Sequence, residues 1–271
     1  MRRPRVWLFD LDDTLMWNST TYNQPMVDLI QFLTVIFNNR IPYVGTISRF
    51  QEDIDFGLAN ELNPRTGKPY QFSRDRFPDS FVRTYEWLCK NGFGEYSEAA
   101  ALQCREIGMR AFDQTNYRKL GFVPGGENLL NFLKNRDHPL VLVSKGDDWV
   151  QQKKINALNL GRWFSDIHIV PEKTCEVYQG VLDKLNSSNG SDVVKKWEGE
   201  LKPSQVVMVG NSFSSDIGPA LGVGMNGIFI PCTTWKGESI DPGALPHDAQ
   251  TRLVTFKEIQ EVIPWYQTLE P

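Results

Sequence analysis

Three carboxylates, Asp10, Asp12 and Asp13, follow directly on the apolar run Val6-Trp7-Leu8-Phe9. Side chains on an extended segment alternate between faces, so Asp10 and Asp12 are expected to point the same way. Two like charges roughly 4 Å apart repel by about 4 kcal/mol at an effective dielectric of 20. A divalent cation, a shared proton or a reaction intermediate would offset that repulsion. The other reading of Asp12-Asp13-Thr14 is a polar loop opening a helix, because Asp and Thr are good N-caps.

Further polar groups stand where other apolar runs stop. Ser144-Lys145 follows Val141-Leu142-Val143, Lys173 follows Ile167–Val170, and Gly210-Asn211-Ser212 leads from Val206–Val209 towards Asp216. The elements that must hold these groups are legible as well. Val6–Phe9, Leu140–Val143, Ile167–Val170, Val206–Val209 and Ile228–Ile230 are continuous apolar runs, the pattern of strands covered on both faces. Leu253–Val254 is a weak sixth. Helical spacing recurs between them at Glu127–Asn135, Trp149–Leu158, Thr174–Leu185 and Ser215–Leu221. Such alternation predicts an open α/β parallel sheet with helices on both faces, whose ligands bind beyond the carboxyl ends of the strands.

Residues 17–119 break the alternation. Met26–Phe37, Ile47–Leu62, Phe81–Lys90 and Glu98–Phe112 read as amphipathic helices, and Pro64–Pro69 as a turn-rich loop. The expected organisation is a discontinuous core, residues 1–16 and 120–271, interrupted by a helical module, with Pro124-Gly125-Gly126 marking the return.

Asp10-Leu11-Asp12-Asp13-Thr14-Leu15 resembles the first signature of the haloacid dehalogenase-like hydrolases. Ser144, Lys173 and Gly210–Asp216 resemble the second, third and fourth, in family order. The resemblance implies a Rossmann-like core with an α-helical cap, and an activity. By it, Asp10 is the nucleophile that forms an aspartyl-phosphate, and Asp12 exchanges protons with the leaving alkoxide and then with water. The like charge of Asp10 would favour a protonated Asp12. Lys173 would neutralise Asp10 and the incoming phosphate, in preference to Lys153 and Lys154, which are expected to face solvent. Ser144 either offers its hydroxyl to the phosphate or caps the next helix, Lys145 contacts phosphate through its backbone, and Thr14 either braces the loop or acts as an N-cap. Mg²⁺ would be held by Asp10, the main-chain carbonyl of Asp12, and Asn211 or Asp216. The commonest family form has an acid where Asn211 stands, so Asn211 either binds through its amide oxygen or only hydrogen-bonds the loop.

The implied activity is a Mg²⁺-dependent phosphatase acting on a small phosphorylated metabolite. The alternatives are a metal-independent dehalogenase, in which no acid is expected at Asp12, and a non-catalytic phospho-ligand binder. Arg65, Lys68, Arg74 and Arg76 with Tyr70, Phe72 and Phe77 read as a solvated loop with aromatic anchors, a grip on an acidic or sugar substrate being the other reading. Trp17 and Asn18 fall at a hinge, and Trp235 and Glu238 border the site or lie on the surface.

The net charge of −4 argues against a nucleic-acid partner. There is no apolar run of about 18 residues, which argues against a membrane span. Cys89, Cys104, Cys175 and Cys232 form no C-x-x-C pair and there are only three histidines, so no zinc site is expected. Scattered cysteines suggest small apolar fillers in a reducing, cytoplasmic setting. A monomer or homodimer is expected.

Overall fold

The computed structural model describes residues 3–187, 200–232 and 245–269. They form two compact units, one of residues 1–19 and 118–271, the other of residues 20–117.

The first unit is built on a six-stranded sheet of β1 (Val6–Phe9), β2 (Leu140–Lys145), β3 (Asp166–Val170), β4 (Val206–Gly210), β5 (Asn226–Phe229) and β6 (Leu253–Thr255). Its order is β3-β2-β1-β4-β5-β6, and every pairing is parallel. β1 lies in the middle, with Leu8 opposite Val141 on one side and Met208 on the other. All four of its residues are buried, as the continuous apolar run requires. Val6 and Leu8 face a core completed by Tyr178, Val181, Leu182 and Leu185 of α8 (Cys175–Asn186) and by Ala220 and Leu221 of α9 (Gly218–Gly222). Trp7 and Phe9 point the other way, Trp7 against Tyr266 of α11 (Val262–Thr268) and Phe9 against Phe164. Helices therefore cover both faces. The expected β3 run proves only half-buried, because it is the edge strand.

Two connections set up the site. β2 runs on through Ser144 and Lys145, and α7 (Asp148–Ala157) starts only after Gly146 and Asp147. The Asp147 carboxylate accepts from the Val150 N–H and is the N-cap. Thr174 caps α8 in the same way, through the Val177 N–H, which leaves Lys173 on the short link from β3. The remaining core helices are α6 (Gly126–Lys134) and α10 (His247–Arg252).

The second unit holds α1 (Asn23–Ile36), α2 (Val44–Leu58), α3 (Arg76–Lys90) and α4 (Glu98–Met109). They pack around Leu29, Leu33, Ile47, Phe81, Tyr85, Leu88 and Ile107. A short α5 (Gln114–Leu120), which lacks an apolar stripe in the sequence, follows. None of the four cysteines is in a disulfide; Cys104 is buried, but Cys175 is exposed and so is no core filler. Among the described residues no helix is long and apolar enough to cross a membrane.

Candidate active site

Asp10 follows the last residue of β1, and its N–H still bonds the Val209 carbonyl of β4 at 3.0 Å. Its carboxyl is buried and both oxygens are engaged. Lys173 Nζ lies 2.5 Å from Asp10 Oδ1 and 2.6 Å from Asp216 Oδ1. The Thr14 hydroxyl lies 2.9 Å from Asp10 Oδ2 and 3.1 Å from Asn211 Oδ1, and its single proton serves one of them at a time. Thr14 is thus a brace between β1 and the loop after β4, not a helix cap. Burial pushes the Asp10 carboxyl up to about 7; Lys173 pulls the other way, and the charges of Asp216 and Asp12 add to the rise. Burial disfavours the Lys173 ammonium, but Asp10 and Asp216 together raise its pKa above the ordinary range. It is charged at any physiological pH.

Asp216 arrives through a tight turn. Residues Phe213–Ile217 form one π-helical turn, with the Ser212 side chain accepting from the Ser215 N–H. The Ser212 N–H donates to Asp216 Oδ2 at 3.0 Å. This brings the side chain so near β4 that a Cβ at Gly210 would sit 2.4 Å from it, which only glycine avoids.

Asp12 departs from expectation. Its carboxylate takes two contacts of 2.8 Å from Lys154 Nζ and one of 2.9 Å from Gln151 Nε2. Lys154 is 2% exposed, so the expectation that it faces solvent is wrong. The chief electrostatic partner of Asp12 is this ammonium, not Asp10. A signal was present: Val150, Gln151, Lys154 and Ile155 are the buried residues of α7, and the two polar ones lie on its apolar stripe. Lys153, by contrast, lies over the Trp149 ring.

Asp13 turns aside, at φ 58°, and accepts from the Asn18 and Ser19 N–H groups and the Ser19 hydroxyl. The polar-loop reading therefore applies to Asp13, and Asn18 belongs to that loop. Trp17 beside it is half-buried.

Ser144 is fully buried at the end of β2, and its hydroxyl has no hydrogen-bond partner. It does not cap α7; Asp147 does. A buried hydroxyl without a partner costs about 1–3 kcal/mol. Lys145 is half-buried and donates to Ser215 Oγ at 3.1 Å; burial, and Lys173 nearby, lower its pKa.

The basic loop of the helical unit is mostly committed to structure. Arg65 grips Asp79 at 2.5 and 3.0 Å, Tyr70 donates to the same carboxylate at 2.6 Å, and Arg76 pairs with Asp55 at 3.0 Å. Phe77 stacks within the unit on Phe81 and Tyr22. Lys68, Phe72 and Arg74 are exposed, and the Arg76 guanidinium lies over the Phe72 ring. Trp235 and Glu238 lie outside the described residues.

The donor set around Asp10 is two carboxylates and the amide oxygen of Asn211. Among the described residues no group of three His, Cys, Asp or Glu side chains is placed to hold a metal. Hard oxygen donors without His or Cys nevertheless suit Mg²⁺, which makes do with one or two carboxylates and keeps several waters. The engaged carboxylate oxygens also keep further lone pairs. The residues fit that ion.

The haloacid dehalogenase-like hydrolase family model matches residues 4–224. The chain belongs to this family. This hydrolase is 26% identical over 236 residues to a glyceraldehyde 3-phosphate phosphatase of Pyrococcus furiosus, covering 85% of this chain and 82% of the relative. Its fold is similar to that of a haloacid dehalogenase-like family hydrolase from Xanthomonas campestris, with a TM-score of 0.60, 19% identity, and 98% and 97% of the two chains covered. It is similar also to a HAD-hydrolase of Bacillus subtilis solved bound to magnesium, with a TM-score of 0.61, 17% identity, and 98% and 99% covered.

Proposed function

We propose that this hydrolase is a Mg²⁺-dependent phosphatase that cleaves a small phosphomonoester through an aspartyl-phosphate on Asp10. The observation that carries the reading is the convergence on one buried carboxyl of Lys173 and Thr14, which tie it to Asp216 and Asn211, with Asp12 two residues along. The phosphatase name of the Pyrococcus relative supports it, and an acid at position 12 speaks against dehalogenation, whose carbon–halogen cleavage needs no proton donor.

In this mechanism an Asp10 oxygen attacks phosphorus, and the bond to the ester oxygen breaks. Asp12 takes up a proton from solvent ahead of the step and gives it to the departing alkoxide, then takes one from the water that attacks the aspartyl-phosphate, releasing inorganic phosphate and restoring Asp10. Lys173 balances the charge of Asp10 and of the phosphoryl group. Ser144, with its partnerless hydroxyl, and the main chain at Lys145 receive the phosphate oxygens, while Thr14 holds Asp10 against the β4 loop. Asp10, Asn211, Asp216 and the Asp12 carbonyl would hold Mg²⁺, which when bound supplies positive charge that orients and polarises the phosphoryl group.

Asp10→Asn should lower turnover of p-nitrophenyl phosphate by at least about 10³-fold. Acid quench during turnover should leave labelled phosphate on Asp10. Full activity in the Asn variant, or label on another residue, would refute the reading. Undiminished turnover in excess EDTA would return the chain to the metal-independent branch.

A further inference from the structure

Lys154 and Gln151 take no part in the mechanism above, yet both are 2% exposed and both end on Asp12. We propose that they are positioning residues, a clamp that fixes the Asp12 carboxyl for proton transfer to the leaving group. This rests on the phosphatase reading.

Three features argue that the pair is built for orientation and not for stability. First, an ion pair is a poor way to stabilise a helix face. Burying a lysine carries a desolvation cost that its attraction to a carboxylate barely recovers, and an apolar residue would pack there more cheaply. Second, the contacts are over-determined. Both Asp12 oxygens lie 2.8 Å from Lys154 Nζ, and Oδ2 also takes the Gln151 amide at 2.9 Å. These directions leave the carboxyl little freedom to rotate. Third, the surroundings make room for the clamp. Gln151 Nε2 also donates to the Lys145 carbonyl at 3.0 Å, so both amide protons are used and the side chain is locked to the end of β2. Gly146 beside it sits at φ 148°, and a Cβ there would come 2.7 Å from Gln151 Nε2. The clamp thus ties the proton-transfer residue after β1 to the strand end that carries Ser144.

A misplacement of about 1 Å can cost on the order of 10²-fold in rate. If the clamp serves proton transfer, that loss depends on how much the leaving group needs a proton. The test compares kcat/KM on phenyl phosphate, a poor leaving group, with kcat/KM on p-nitrophenyl phosphate, a good one. Lys154→Met keeps the side-chain length and removes the charge. It should lower kcat/KM on phenyl phosphate by about 10- to 100-fold and on p-nitrophenyl phosphate by less than about 3-fold. Asp12→Asn should show the same bias, and adding Lys154→Met to it should add little. Gln151→Met, which leaves the ion pair, should show a weaker bias and carries the test if Lys154→Met does not fold. Equal losses on the two esters, or no loss, would overturn the clamp. Retained turnover in Asp10→Asn would instead overturn the phosphatase reading beneath it.

Discussion

The two units each gather acids and cations into a network, but with different cations. In the helical unit, Arg65 and Arg105 close around Asp79 and Asp75, joined by Tyr70 and Asn63. Planar guanidinium forks match carboxylate geometry, so the acceptors are consumed and the loop before α3 is pinned to α3 and α4. In the sheet unit the cations are lysines, which are compact point charges. Lys173 is shared by Asp10 and Asp216, and Lys154 spans Asp12. That network also leaves the Ser144 hydroxyl and Gln151 Oε1 without partners. The arginines complete a structure; the lysines, one on the link after β3 and one on α7, leave polar groups beside them unsatisfied.

From that contrast, removing a cation from the sheet unit should cost rate and removing an acid from the helical unit should cost stability. Lys173→Met should lower kcat/KM by about 10²- to 10³-fold, the scale of losing one preorganised charge stabiliser, with the far-ultraviolet circular dichroism retained. A normal rate in that variant would remove the distinction. Asp79→Ala leaves the buried Tyr70 hydroxyl without its acceptor and takes one acid from the partly exposed Arg65 and Arg105, and should destabilise the helical unit by about 1–3 kcal/mol, read as a shift of the urea midpoint.

A pH series sharpens the comparison further. Burial raises the Asp10 carboxyl from 3.8 to about 7, so the folded state holds that proton more tightly than the unfolded chain. Its contribution to stability is present below pH 3.8 and is lost as pH rises through about 7. In EDTA, the Tm of Asp10→Asn relative to wild type should therefore climb across that window, and a flat difference would count against it. The smallest effect is expected at the solvent-exposed pair of Arg83 and Glu61, 3.2 Å apart. Arg83→Ala should change stability by less than about 1 kcal/mol, which a urea melt can bound.

The sequence alone determined where the sheet and its reactive end lie. β1, β2 and β4 are short continuous apolar runs, and hydrophobic burial on both faces leaves such segments few alternatives. Asp10, Ser144 and Asp216 follow those runs, and Lys173 follows the edge strand β3, so chain order already placed them near one another. Tertiary structure alone decided which charge meets which. Lys153 and Lys154 are neighbours of the same type, and only the rotation of α7 against the end of β1 sends one over Trp149 and the other to Asp12. The same holds for Arg65 and Arg76, whose partners Asp79 and Asp55 lie on helices that local spacing does not bring to them. Burial pattern is a local property of the chain, whereas the pairing of buried charges depends on packing between distant elements, and packing is settled only when the whole core closes.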